Sequence, residues 1–406
     1  MKQFKIGVVG ARRGLTFVQT LQSMGERACL YAVCENDPIV KRDRVDNVVP
    51  EGTLVFTDYD EFLECGLDAV ILCNFFHEHA KFAIKALKKG IAVLSETTAA
   101  PTLGECVDLC KTVEETGTKY MLAANGPFKA SIQYIKDAYE SGKLGDVHYA
   151  EAEYLHYNAK SKGYQDPTNH HWRRMLPGPY YNMHTLGTLM YVTGTMPKRV
   201  TAAVLDGKHA KLKNALRDHD GAKVFCVMDN GTRLETTGWT NLGPTSKWYR
   251  FIGEKAVMET QRYSEGNVWT IPTELEFFPG GEIPEFEKFE PTYDDVSMVT
   301  KEELYSFSDE QKNVGHPGID FWLTYHFVKY LQDEHEPFFD VYRATALSAA
   351  AIMAWKSVLD GSKEYEIPDF ADKVEREKYA NDYLSPFEYP DSENYISSYA
   401  KKEDKR

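Results

Sequence analysis

The sequence is short of positive charge, of long apolar runs and of regularly spaced cysteines. Lysine and arginine number 47 against 61 aspartates and glutamates, a net charge of −14, and no basic stripe stands out. Nucleic-acid binding depends on cations set against phosphates, so no nucleic-acid partner is expected. No apolar run approaches the roughly 20 residues that span a bilayer, so no membrane is expected either. The seven cysteines lack ligand spacing. Cys106 and Cys110, four apart on one helical face, read as core filler, and no metal site is expected. The odd cysteine count, with a first strand beginning a few residues after Met1 and no leader before it, predicts a reducing, cytoplasmic setting. Internal repeats and low-complexity tracts are also missing. What remains is a chain of 406 residues, 43% apolar and 27% charged, long enough for two domains with cores of their own.

The stretch from Lys5 to Glu35 organises the rest. Ile6-Gly7-Val8-Val9 is an apolar run suited to a sheet buried on both faces. Gly10-Ala11-Arg12-Arg13-Gly14 is a glycine turn, and Leu15, Val18, Leu21 and Met24 fall on one face of a following helix. Leu30 to Cys34 is a second strand that ends on Glu35. This order is that of a dinucleotide-binding βαβ unit. Gly10 and Gly14 would let backbone N–H groups approach a pyrophosphate at a helix N-terminus. Glu35 would accept hydrogen bonds from ribose hydroxyls and repel a ribose phosphate, so the expected cofactor is NAD rather than NADP. The turn departs from a strict G-x-G-x-x-G, with Arg12 where a glycine would stand. The plainer alternative is an ordinary βα turn with no ligand.

Strand and helix alternate to about residue 125, which predicts a doubly wound parallel sheet. Ligands bind such sheets at the strands' carboxyl ends, so Gly10, Glu35, Asn74, Glu96 and Asn125 should share one edge. Thr102 and Glu105 have capping-box spacing at the start of one helix. From Val147 the chain reads as long strands, with Asp229-Asn230-Gly231 as a hairpin turn. The expected fold is α/β: a Rossmann-type domain over 1–125, then an α/β domain over 126–360 with a large, open, mostly antiparallel sheet. Residues 272–314, acidic and rich in Pro, Gly and Glu, read as a surface excursion. Residues 361–406 read as a tail packed on the surface.

These landmarks together resemble the Gfo/Idh/MocA family, named for glucose–fructose oxidoreductase and inositol dehydrogenase. The resemblance rests on the glycine turn, His79, the strand from Gly90 to Glu96, and Tyr181-Asn182-Met183-His184 with Gly194 and Pro197 behind it. It implies an NAD(H)- or NADP(H)-dependent enzyme acting at a ring carbinol of a sugar or cyclitol. The usual Glu-Lys-Pro motif reads Glu96-Thr97-Thr98 here, so its lysine is missing, and Tyr180 stands where an aspartate is usual. Ser95 to Ala100, Trp172-Arg173, Tyr181 to Gly187 and Gly315 to Asp320 look more like the NAD-dependent glycosidases of that family, although Thr98 and Pro317 depart from their motifs. That likeness implies cleavage by oxidation, elimination, addition and reduction. A simple sugar dehydrogenase and an NAD-binding sensor without turnover are the alternatives. The resemblance also implies a homo-oligomer formed through the open sheet.

Tyr181 and His184 stand three apart, so both can share a face and act as base and relay; Tyr180 is the other tyrosine in reach of that role. Both are otherwise packing residues between domains. Asn74, Glu96 and Asn125 are expected at the cofactor, with His79 closing the loop beneath it. Arg12 and Arg13 either flank the pyrophosphate or are solvated charge. Trp172 could stack on a sugar, and Arg173, His316 and Asp320 could hold its hydroxyls. Lys247, beside Trp248 and Tyr249, is the one lysine considered as a substitute for the missing one.

Overall fold

Buried apolar strands dictate the first layer. In the computed structural model, which describes residues 2–156, 176–206, 219–238, 244–263, 266–272 and 286–385, six parallel strands form one sheet. They are β1 (Phe4–Val9), β2 (Ala28–Cys34), β3 (Leu54–Phe56), β4 (Ala69–Leu72), β5 (Ala92–Ser95) and β6 (Tyr120–Leu122), in the order β3-β2-β1-β4-β5-β6. The order reverses between β1 and β4, which opens a crevice at the carboxyl ends there. The strand β3 is the one that the apolar pattern did not signal. It has three residues, and Leu54 and Val55 are each 40% exposed at the sheet edge. Thr102 caps the helix Leu103–Thr116 by accepting from the Glu105 N–H, and Gly117 closes it in a left-handed turn at φ 63°.

The second sheet has nine strands, ordered β14-β13-β12-β11-β7-β10-β9-β8-β15. These are β7 (Val147–Leu155), β8 (Pro197–Asp206), β9 (His219–Met228), β10 (Arg233–Gly238), β11 (Ser246–Gly253), β12 (Ala256–Thr260), β13 (Val268–Pro272), β14 (Glu287–Phe289) and β15 (Tyr365–Glu366). Only β7 and β10 pair in parallel. Alternation in β7 puts Ala150, Ala152 and Tyr154 inward and Tyr149, Glu151 and Glu153 outward. On the outer face Glu151 pairs with Arg250, and Trp248 lies between Arg250 and Arg262, 5.5 and 4.1 Å from its ring.

Residues 272–314 are not a mere surface excursion. In the described part, Val296, Val299, Leu304 and Phe307 are buried. Phe307 meets Phe321 and Tyr325 edge-on at 5.0 and 5.4 Å. Acidic composition hid a sparse apolar pattern that needs a partner helix to be recognised. That partner, helix Ile319–Leu331, packs on the first helix of the chain, Ala11–Gln22, and covers the face of the parallel sheet that carries Ile6, Val8 and Ile71. Helix Val341–Leu359 belongs to the other core, with Leu103, Cys106 and the inner face of the large sheet. Of the tail, Tyr365–Glu366 adds an edge strand to β8, and Arg376 grips Glu114 through two bonds of 2.7 Å. All seven cysteines are free thiols. Among the described residues no helix is long and apolar enough to cross a membrane, and no group of three or more potential ligands could hold a metal.

Candidate active site

The glycine turn joins β1 to the helix Ala11–Gln22. Gly10 sits at φ 85°, where a side chain would be strained, and a Cβ there would come within 2.6 Å of the Cys73 carbonyl oxygen. At Gly14 a Cβ would meet Val8 Cγ1 at 2.6 Å, so this glycine lets helix and strand close up. Glu35 at the tip of β2 ties the turn down. Its two carboxylate oxygens accept the N–H groups of Ala11 and Asp37 at 2.7 and 2.9 Å. Burial pushes the Glu35 carboxyl up, and those two N–H groups act against the shift. The amide oxygens of Asn36 and Asn74 are buried and lack a hydrogen-bond partner. A tight glycine turn, a carboxylate at the next strand tip and orphaned acceptors beside them suit a dinucleotide.

Arg13 turns across this edge. It donates to Glu96 at 2.7 Å and, bidentately, to Asp320 at 2.9 and 2.8 Å. Asp320 opens the helix Ile319–Leu331 and is fully buried. Its carboxylate also lies 2.6 Å from His316 Nδ1 and accepts from the Asn125 amide at 3.4 Å. Burial alone would raise the Asp320 carboxyl, but hydrogen bonds from His316 and Arg13 outweigh it and hold the carboxyl well below the ordinary range. The expected residues Glu96, Asn125, His316 and Asp320 are thus brought together, with Arg13 at their centre. Arg12 points outward, 3.4 Å from Asp37. His79 donates its Nδ1–H to the Thr98 carbonyl, 3.0 Å away, beneath the β5 tip.

Facing this network is the segment that follows residue 176. A π-helical turn, Met183–Gly187, leads into helix Thr188–Thr193. It brings His184 Nε2 to 3.3 Å from the Tyr181 hydroxyl. Tyr180, by contrast, is 2% exposed and donates its hydroxyl to the Pro101 carbonyl at 3.2 Å, away from His184. Tyr154 stacks on the imidazole at 4.4 Å, and the Tyr249 hydroxyl donates to the His184 carbonyl at 2.7 Å. Burial first, then Lys247, Lys129, His316 and Arg13, push the His184 imidazole well below its ordinary value and keep it neutral. Lys247 stands 5.8 Å over the Tyr154 ring and Lys129 5.6 Å over that of Tyr249.

Tyr154, Tyr249 and Lys129 are site residues that sequence reading passed over. Strand alternation carried a signal for the two tyrosines, since both fall on inward positions of adjacent strands, in register with Lys247 and Ala152. Lys129 follows the β6 tip by only a few residues, which is a weak signal. Trp172 and Arg173 lie outside the described residues.

Comparison with known proteins accords with the fold. Residues 4–124 match the oxidoreductase family described as having an NAD-binding Rossmann fold, and 132–259 match the GFO/IDH/MocA C-terminal domain. Residues 289–376 match the glycosyl hydrolase 109 C-terminal domain. A glycosyl hydrolase family 109 protein of Stenotrophomonas maltophilia is 24% identical, with 91% of this chain and 89% of that protein aligned. Among solved structures, a levoglucosan dehydrogenase in complex with NADH and L-sorbose has TM-score 0.73 at 13% identity, covering 91% of this chain and all of its own. The WlbA dehydrogenase of Bordetella pertussis, in complex with NADH and UDP-GlcNAcA, has TM-score 0.68 at 18% identity, covering 90% of this chain and 99% of its own. On the two successive matches that run through both sheets, the chain belongs to the Gfo/Idh/MocA family of NAD-binding oxidoreductases, with a C-terminal segment of the glycosyl hydrolase 109 kind.

Proposed function

We propose that this protein acts on a sugar or glycoside with NAD(H) and cleaves a glycosidic bond by a redox-assisted route. The observation that carries the reading is the Tyr181–His184 pair, neutral at the imidazole and within electrostatic reach of His316 and Arg13 of the Glu96–Arg13–Asp320 network. Bound NAD would supply hydride acceptance at a ring carbinol, and hydride return at the end. Gly10 and Gly14 would give it backbone access, Glu35 would bind the adenosine ribose, and Asn74, Glu96 and Asn125 would line the nicotinamide end. His184, alone or through the Tyr181 hydroxyl, takes the carbinol proton and releases it to solvent. Neutral again, the pair removes the proton on the carbon next to the new ketone and hands it to the oxygen of the departing aglycone; water then adds across the carbon 1–carbon 2 double bond, and a proton from solvent returns to the carbonyl oxygen with the hydride. No pair of catalytic carboxylates is required by this route, in contrast to ordinary glycoside hydrolysis. His316 and Asp320 are assigned to the substrate side, and so, on the resemblance alone, are Trp172 and Arg173. Free thiols support a cytoplasmic setting, and the open sheet, where Phe225 is 38% exposed, is the proposed face for pairing with a second copy.

The assay is a glycoside panel with and without added NAD, following aglycone and NADH. Cleavage that needs no stoichiometric NAD, with solvent deuterium appearing at carbon 2 of the released sugar, is the expected result. Ketone accumulation with one NADH per turnover would instead identify a simple dehydrogenase. Cleavage without label, and with a normal rate on substrate deuterated at carbon 2, would refute the route.

Cofactor choice is tested separately by titration. NAD is expected to bind more tightly than NADP, and Glu35→Ala to weaken NAD by about 1–3 kcal/mol, the worth of a charge-assisted hydrogen bond. Tighter binding of NADP by the unaltered protein would overturn the assignment.

A further inference from the structure

Two ammonium groups flank the neutral imidazole, and they differ in their surroundings. Lys247 comes from β11 of the large sheet and is partly exposed. Lys129 comes from the segment that leaves the β6 tip after Asn125, and only 9% of its surface is exposed. Its backbone is fixed. The Lys129 carbonyl accepts the N–H groups of Ile132 and Gln133 at 3.0 Å each, opening the helix Ala130–Glu140. The neighbouring Phe128 carbonyl accepts the Tyr293 hydroxyl at 2.8 Å. The ammonium is held over the Tyr249 ring, and the hydroxyl of that ring bonds the His184 carbonyl.

Resting on the redox-assisted reading above, we propose that Lys129 is a further catalytic residue, whose ammonium faces the sugar oxygen on which negative charge develops. Oxidising a carbinol passes through alkoxide character on its oxygen, and removing the adjacent C–H proton leaves enolate character on the same oxygen. His184 is neutral, so it can accept protons but offers little positive charge to that oxygen. Lys129 forms and breaks no bond. It supplies a fixed charge in a place shielded from water, where such a charge acts more strongly than in solvent. Lys247, with more water around it, acts more weakly on the same ground.

Lys129→Met, Lys129→Arg and Lys247→Met test this with two readouts. The first is the pH titration of His184 in histidine-labelled protein followed by NMR, which needs no turnover. The groups facing that imidazole are Tyr181, Tyr154, Tyr249, Lys247, Lys129, His316 and Arg13. Losing the Lys129 charge moves the His184 titration upward, and Lys129→Arg leaves it in place. An unmoved titration in Lys129→Met overturns the proposal. The second readout is kinetic. Removing one preorganised stabiliser of an oxyanion costs roughly a hundredfold or more in kcat. Lys129→Met is expected to lose that much kcat with KM and NAD affinity nearly unchanged, Lys129→Arg to regain most of it, and Lys247→Met to lose less. Equal losses in the two methionine variants, or an unchanged kcat in Lys129→Met, also overturn it. If the unaltered enzyme turns over no sugar or glycoside, the functional reading fails by itself, and the titration still decides whether the Lys129 charge bears on this site.

Discussion

Replacing His184 with alanine lowers turnover by about 10²- to 10⁴-fold, the usual worth of a general base, and leaves NAD affinity nearly unchanged. The imidazole stands 3.3 Å from Tyr181 and stacks on Tyr154, neither of them in the glycine turn, so the expected cofactor contacts survive its loss. Tyr181→Phe keeps the ring that packs near Tyr154 and removes only the hydroxyl, and on the order of a hundredfold loss is expected from it. The pH profile gives an independent check. Burial and cationic neighbours lower the His184 value in the folded protein, so the acid limb of the rate profile lies well below pH 6.5. The same sign applies to stability. A depressed folded value means that the unfolded chain binds the proton first, so the fold loses stability as the pH falls below about 6.5. An acid limb at or above the ordinary histidine range would show that another group acts as the base.

Asp320→Ala is expected to destabilise the protein by about 3 kcal/mol, the lower end for breaking a buried ion pair. The lower end applies because Arg13 keeps Glu96 at 2.7 Å and its side chain is 26% exposed, so the orphaned cation is partly relieved. The Asp320 carboxyl, with no exposure at all, meets Arg13, His316 and Asn125, and alanine leaves all three without it. Denaturant unfolding of the two proteins side by side measures the difference. Its pH dependence follows from the depressed folded value. The contribution is fully present above the ordinary carboxyl value of 3.8 and fades as the pH falls from there through the folded value. A difference below about 1 kcal/mol at neutral pH, in the range of an exposed pair, would mean that the network is solvated in solution.

The parallel sheet was legible because each of its strands except β3 is a dense apolar run bounded by turn residues, and the tips of those strands fell on one edge as expected. The Tyr181–His184 pair was legible from its spacing. Spacing left Arg13 between two readings, flanking a pyrophosphate or solvated charge, and neither foresees that its guanidinium is engaged by two carboxylates, one of them 307 residues away. Local periodicity carries no information about such a partner. Lys129 escaped for the related reason that burial of a lone lysine depends on what packs over it, here Tyr249 from a distant strand. The stretch before helix Ile319–Leu331 was misjudged because composition was weighed above four scattered apolar residues.

The way the chain doubles back has a consequence for its synthesis. The layer that seals Ile6, Val8 and Phe17 from water is made of Phe307, Phe321, Trp322 and Tyr325, which emerge from the ribosome only after some three hundred residues have gone before. Until then the nascent nucleotide domain carries an uncovered aromatic-binding face, and Arg13 lacks its second carboxylate. Contacts so far apart in sequence form late and slowly. A fragment ending near residue 125 would therefore aggregate or require a chaperone, and a nick in the stretch around residues 291–314 would loosen the glycine turn from a distance.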